Sequence, residues 1–293
     1  MDSAEILKRV RRIEIETGKL VAETFAGQYL SVFKGQGMEF AEVRQYIPGD
    51  DIRNIDWNVS AKTGSTYIKK FNEERELTVM IACDVSASQS FGSLGRFKSE
   101  AVAELASVFA FSAIDNNDKV GLLLFSDKIE LYIPPKKGRR HVLRIIRELL
   151  AFQPKSKGTN LGLALDSLNR LIKHKGILLL ISDFMTEDYS KSFKLSARKF
   201  DLVPVIIKDK LEETLPSSNV FVDFSSLENG ENTFFSLSSQ NVNLLKGTYQ
   251  KYIDEAKLLF TKTGLDYIKI DDTENVVDPL VRFFKKRAQK IKR

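Results

Sequence analysis

A chain of 293 residues, 43% of them hydrophobic and 29% charged, can bury a good core, as one large domain or two modest ones. Its longest apolar runs, such as "GILLLIS" at Gly176–Ser182, are too short to cross a bilayer, and its single cysteine excludes an internal disulfide. The net charge of +6 admits nucleic acid, a membrane surface or an acidic protein as partner.

In chain order, Ile6, Leu7, Val10, Ile13, Leu20 and Val21 recur among charges and predict a helix over about 4–23. "GQYLSVFKG", "GMEFAEVRQY" and "STYIKKF" then read as short strands separated by glycine and by "IPGDD", ending at the charged stretch Asn72–Glu76. Residues 1–75 are therefore expected to form a leading helix with a small β-rich unit. From Leu77 the rhythm becomes strand "LTVMIACD", helix over about 96–114, strands "KVGLLLF" and "IELYI", and helices near 139–150 and 161–173. Strand "GILLLISD", a helix near 190–198 and strand "DLVPVII" follow. A polar excursion at about 208–240 carries the short strands "NVFVDF" and "NTFFSL"; a helix over about 242–263, strand "LDYIKI" and a helix from Val276 close the chain. Residues 76–293 thus predict an α/β domain with a doubly wound, mostly parallel sheet, whose ligands collect at the carboxyl ends of the strands.

The first strand of that domain breaks off at an aspartate and continues as Asp84-Val85-Ser86-Ala87-Ser88. Residues two apart in extended chain point the same way, so Asp84, Ser86 and Ser88 converge on one side. Asp183 ends the strand "LLLISD", and Thr159 lies in the loop "SKGTN" that opens a helix. Two carboxylates and three hydroxyls on one rim are hard oxygen ligands, suited to Mg²⁺ or Mn²⁺ rather than Zn²⁺. Structural roles are also open: Thr159 or Asn160 as a helix cap, Asp183 as a turn residue, Ser86 and Ser88 as loop serines.

"DVSAS", "GTN" and "SDF" resemble the three pieces of the metal-ion-dependent adhesion site of von Willebrand factor A domains. The resemblance implies a metal held by Asp84, Ser86, Ser88, Thr159 and Asp183, with one coordination position accepting a carboxylate from a partner. The stretch before the strand, with Gly49, Asp50, Asp51, Arg53, Asp56 and Trp57, is similar to the bacterial family catalogued as domain of unknown function 58. That family resemblance implies a MoxR-type AAA+ ATPase as partner. Two roles are open for the Gly49–Trp57 stretch: a salt-bridged turn anchored by a buried Trp57, or a second recognition surface.

No nucleophile or acid–base pair stands out. His141 and His174 sit among basic residues as surface histidines, and Cys83 lies on an apolar strand as a packed thiol. Ser86 occupies the place where a dehalogenase-type phosphatase needs a second aspartate, and "GSLGRFKS" at Gly92–Ser99 lacks the phosphate-loop spacing. The basic runs "KRVRR" (Lys8–Arg12), "KKGRRH" (Lys136–His141) and "KKRAQKIKR" (Lys285–Arg293) never alternate with aromatics and read as solvated helix ends. Nucleic acid is not the expected partner. The opening "MDSAEILKRVRR" lacks the apolar stretch of a secretory signal, so a cytoplasmic adaptor is expected. A metal-dependent hydrolase using the same cation, or a basic nucleic-acid binder, stands as the alternative.

Overall fold

The computed structural model of the chain describes residues 3–21, 29, 32–33, 39–72, 76–87, 98–209, 215–218, 220–225, 232–271 and 276–291. The chain divides into two compact units, a small one at Lys34–Glu76 and a large one formed by Met1–Phe33 with Leu77–Arg293.

The large unit is built on a six-stranded sheet of β3 (Thr78–Asp84), β4 (Lys119–Phe125), β5 (Ile129–Lys136), β6 (Ile177–Ser182), β7 (Asp201–Lys208) and β10 (Ile268–Asp271). Their spatial order is β10-β7-β6-β3-β4-β5, all parallel except β5, which returns antiparallel beside β4. The doubly wound, mostly parallel sheet expected from the strand–helix rhythm is present. Its central strands are covered on both faces and therefore read as unbroken apolar runs. Along β3, Val79, Ile81 and Cys83 enter one core, with α3 (Lys98–Asp115), α4 (Arg139–Ala151) and α8 (Val277–Ile291). Met80 and Ala82 enter the other, with α5 (Leu161–Leu171), α6 (Ser190–Lys199) and α7 (Ser239–Lys262). The polar excursion contains an antiparallel pair, β8 (Phe221–Ser225) with β9 (Asn232–Ser236).

The leading helix corrects the expected division at residue 75. Helix α1 (Ser3–Leu20) belongs with the large unit, and the reason lies in α3. That helix is buried almost all round, from Ala101 to Ala113, so the sheet alone cannot cover it. Helix α1 supplies the cover: Ile6, Val10 and Ile13 pack against the same core, Arg9 pairs with Glu100 of α3, and Glu14 accepts from Arg139 of α4 at 2.8 Å. The expected strand "GQYLSVFKG" is described only at Tyr29, Val32 and Phe33, which are helical and buried in this core.

In the small unit, β1 (Glu39–Gln45) and β2 (Tyr67–Asn72) pair antiparallel, as their patterns predict. Between them the chain forms a 3₁₀ turn at Ile52–Asn54 and a two-turn helix α2 (Trp57–Thr63) that the sequence reading had not assigned.

Candidate functional site

Strand β3 has β4 on one side and β6 on the other, while the helices after β3 and before β6 lie on opposite faces. The carboxyl ends of β3 and β6 therefore bracket the point where the winding reverses, the usual place for a ligand in such sheets. Asp84 ends β3, and Asp183 follows the last residue of β6.

Backbone hydrogen bonds stitch the loops of this rim together. Val85 N–H donates to the Phe125 carbonyl at 2.8 Å, and Ala87 N–H to that of Lys157 at 3.0 Å. Asn160 N–H donates to the Ser126 carbonyl at 2.9 Å, and the Thr186 hydroxyl to the Thr159 carbonyl at 3.3 Å. Glu130 on β5 clamps the loop from below: one carboxylate oxygen accepts from Ser126 Oγ at 2.9 Å, Ser156 N–H at 3.0 Å and Lys155 N–H at 3.2 Å. The three sequence-distant pieces are thereby brought together.

At their centre lie two buried carboxylates. Asp84 accepts from Ser86 N–H at 2.9 Å through Oδ1 and from the Ser182 hydroxyl at 2.7 Å through Oδ2. Asp183 accepts from Met185 N–H at 3.2 Å through Oδ1. Its Oδ2 is buried and has no hydrogen-bond partner among the described residues. Burial, and then the negative charge of Asp183, pushes the Asp84 carboxyl above the usual carboxylate range. Phe184 next to Asp183 adopts a left-handed backbone, φ 58°, a conformation that costs a non-glycine residue about 1–2 kcal/mol. Its ring, packed on Tyr189 and Phe260, holds that turn in place.

The open roles from the sequence are now resolved for three residues. Asn160, not Thr159, caps α5, accepting from Leu163 N–H at 2.8 Å, so Thr159 is not needed as a cap. Asp183 does act as a turn residue, but with one oxygen only. Ser86 is buried and hydrogen-bonds to Asp84 rather than lining an exposed loop. Ser88 lies outside the described residues, as does most of Gly92–Ser99.

Two residues of the rim were missed in the sequence. Ser182 positions Asp84, and its signal was a hydroxyl closing an otherwise apolar strand. Glu130 gave no signal, because its three partners are 4 to 26 positions away. Farther along the sheet, Lys208 and Asp209 are also buried at the end of β7, with Lys208 Nζ 3.1 Å from Asp271.

The Cys83 thiol is buried, and burial followed by the charge of Asp84 pushes its pKa up. His174 is exposed, whereas His141 is half-buried with Nε2 2.9 Å from the Val120 carbonyl, so it is less of a surface residue than expected. The basic tail is likewise not free: Lys286 and Lys290 pair with Asp266, and Arg287 pairs with Asp201 and lies over the Phe33 and Phe283 rings.

In the small unit, the Gly49–Trp57 stretch is a chain of aspartate-built turns. Arg44 makes a forked bond to Asp50 at 2.7 and 2.9 Å, and Asp50 also accepts from Ile47 N–H at 2.9 Å. Asp51 caps the 3₁₀ turn and pairs with Arg53, while Asp56 caps α2 by accepting from Asn58 and Val59 N–H. The salt-bridged turn is there, but a buried Trp57 anchor is not. Trp57 is 71% exposed, because it begins a seven-residue helix that buries none of its side chains. Ile47 and Ile52 are exposed as well.

The rim fits a hard cation. Among the described residues, no three His, Cys, Asp or Glu side chains group as a metal cage, so a cation here would draw on two carboxylates and hydroxyls. The partnerless, buried oxygen of Asp183 is a ligand atom of the right kind, and like charges placed this close call for a counter-charge. Among the described residues, no helix is long and apolar enough to cross a membrane.

Uncharacterized protein Rv1480 of Mycobacterium tuberculosis is 25% identical over 219 residues, covering 74% of this chain and 69% of the relative. Among solved structures, BatB from Bacteroides thetaiotaomicron is similar over 73% of this chain and 99% of its own, with 15% identity and a TM-score of 0.45. The SpRpn10 VWA domain is similar over 70% and 94%, with 11% identity and a TM-score of 0.38. The family described as "Protein of unknown function DUF58" matches residues 42–253, and the chain belongs to it.

Proposed function

We propose that this DUF58-family chain is a metal-ion-dependent protein-interaction module, an adaptor or assembly factor for a MoxR-type AAA+ ATPase. In this reading Asp84, Ser86, Ser88, Thr159 and Asp183 hold a Mg²⁺ or Mn²⁺. When bound, the ion would supply a positive charge with a position open to an acidic side chain of the partner. The observation that carries the reading is the buried Asp183 Oδ2 without a partner, beside a second buried carboxylate. Burial and the charge of Asp183 disfavour the ionised form of Asp84, and a cation would relieve it.

The chain's own residues prepare the site. Ser182 and the Ser86 amide fix both oxygens of Asp84, and the Met185 amide holds one oxygen of Asp183 while leaving the other free to ligate. Glu130 fixes the loop that presents Thr159. The reading is of an adaptor rather than an enzyme. It is supported by a thiol sealed in the core, and by a His141 ring nitrogen lying against a backbone carbonyl. A cytoplasmic setting belongs to the same reading and is supported by the lone cysteine. The ATPase partner rests on the family resemblance.

The test is capture of a purified MoxR-type ATPase by the full chain, in Mg²⁺ and in EDTA, for the parent and Thr159→Ala. Because Asn160 provides the cap, Thr159→Ala should stay within about 0.5 kcal/mol of the parent in stability. EDTA should abolish capture, and Mg²⁺ should restore it for the parent but not for the variant. Undiminished capture in EDTA would refute the metal bridge. A Mg²⁺-dependent hydrolysis lost in Thr159→Ala, with capture intact, would favour the hydrolase.

A further inference from the structure

Two of the basic runs noted in the sequence, Lys8–Arg12 and Lys136–His141, lie on α1 and at the start of α4, and the fold packs these helices side by side. Between the two helices runs a groove of about 610 Å³. Its floor is apolar, formed by Leu7, Val10 and Leu143, and Leu7 is 61% exposed. Its walls are cationic. Arg140, Arg144 and Arg147 follow one another at helical spacing along α4, and Arg11 faces them from α1.

This charge is not consumed inside the fold. Glu14, the one carboxylate among the described residues that line the groove, is bonded to Arg139, and Arg147 is paired with the neighbouring Glu148. Arg11, Arg140 and Arg144 have no carboxylate partner among the described residues. A stripe of like charges along one helix face opposes that helix, so local stability does not account for it.

We propose that this groove docks an acidic amphipathic helix of a protein partner, at a surface separate from the metal rim. The trough between two packed helices has the shape that accepts a third helix ridge. Its apolar floor would take the ligand's leucine-type side chains, and the arginine forks would take its carboxylates. The lining suits nucleic acid poorly: among the described residues it holds a carboxylate and no aromatic ring for a base to stack on.

The experiment follows fluorescence anisotropy of a labelled synthetic peptide of about 18 residues, with leucines on one helical face and glutamates on the other. The full chain should bind it, equally in Mg²⁺ and in EDTA, and this insensitivity separates the result from the fate of the metal reading. The double variant Arg140→Glu/Arg144→Glu should weaken binding by about tenfold or more, and Arg140→Gln/Arg144→Gln by less. Unchanged melting temperatures would show that both variants fold. A peptide of the same composition with its leucines scattered should bind at least about tenfold more weakly. The proposal is overturned if the scattered peptide binds as well, if the arginine variants bind like the parent, or if the peptide does not bind. It is equally overturned if a thymidine oligonucleotide or phosphatidylserine vesicles bind more tightly than the peptide with the same arginine dependence.

Discussion

The rim of the large unit and the turn of the small unit misplace opposite kinds of side chain. At the rim, two carboxylates are buried, one with an oxygen that has no hydrogen-bond partner among the described residues. In the turn, the only tryptophan of the chain and two isoleucines stand in solvent, while aspartates around them are fully employed in caps and ion pairs. Folding alone favours neither arrangement, since burial of charge is costly and exposure of a large ring forgoes its burial energy. In each region the polar groups are tied into hydrogen bonds or ion pairs while one point is left open, and that open point is where an external group would act. In the proposed reading the rim would offer oxygen to a cation; the turn exposes a large aromatic ring of the kind enriched at interface hot spots.

This contrast can be broken at several places. Apart from the two carboxylates themselves, the largest effect on metal binding is expected at Glu130, which touches neither carboxylate but fixes the loop leading to Thr159. Glu130→Ala should lower Mg²⁺ affinity by about tenfold, as loss of a supporting contact does at other metal sites. Calorimetry of metal binding, with the melting temperature followed in parallel, would check it. Metal affinity equal to the parent's would mean that the clamp is purely structural.

A smaller effect should mark the turn. Trp57→Ser should change stability by no more than about 0.5 kcal/mol, whereas truncating the buried Phe260 to alanine should cost about 3–5 kcal/mol. Because Trp57 is the sole tryptophan, fluorescence excited at the red edge, where tyrosine does not absorb, reports on it alone. Its emission should lie near that of free indole and be quenched by iodide in the folded protein. A blue-shifted, protected emission would contradict the exposed placement.

Much of the rim was legible in the sequence, because its pieces are defined locally. An apolar strand that stops at aspartate identifies both Asp84 and Asp183 whatever lies beside them. What joins the pieces was not legible. The Ser126 carbonyl receiving Asn160, and Glu130 receiving the amides of residues 155 and 156, depend on loops that meet only after the sheet has formed. The same applies to α1: its apolar stripe predicted a helix, but only the all-round burial of α3 shows which unit needs it. The exposure of Trp57 was not legible for a related reason. Aromatic residues are usually buried, and nothing local reveals that a seven-residue helix buries none of its faces.

The central claim is that Asp84 and Asp183 together hold a divalent cation, and a calorimetric titration of the full chain with Mg²⁺ tests it most directly. The parent should bind one ion, while Asp84→Ala and Asp183→Ala should each lose that binding although both remain folded. No heat with the parent, or the same binding in parent and both variants, would contradict the account.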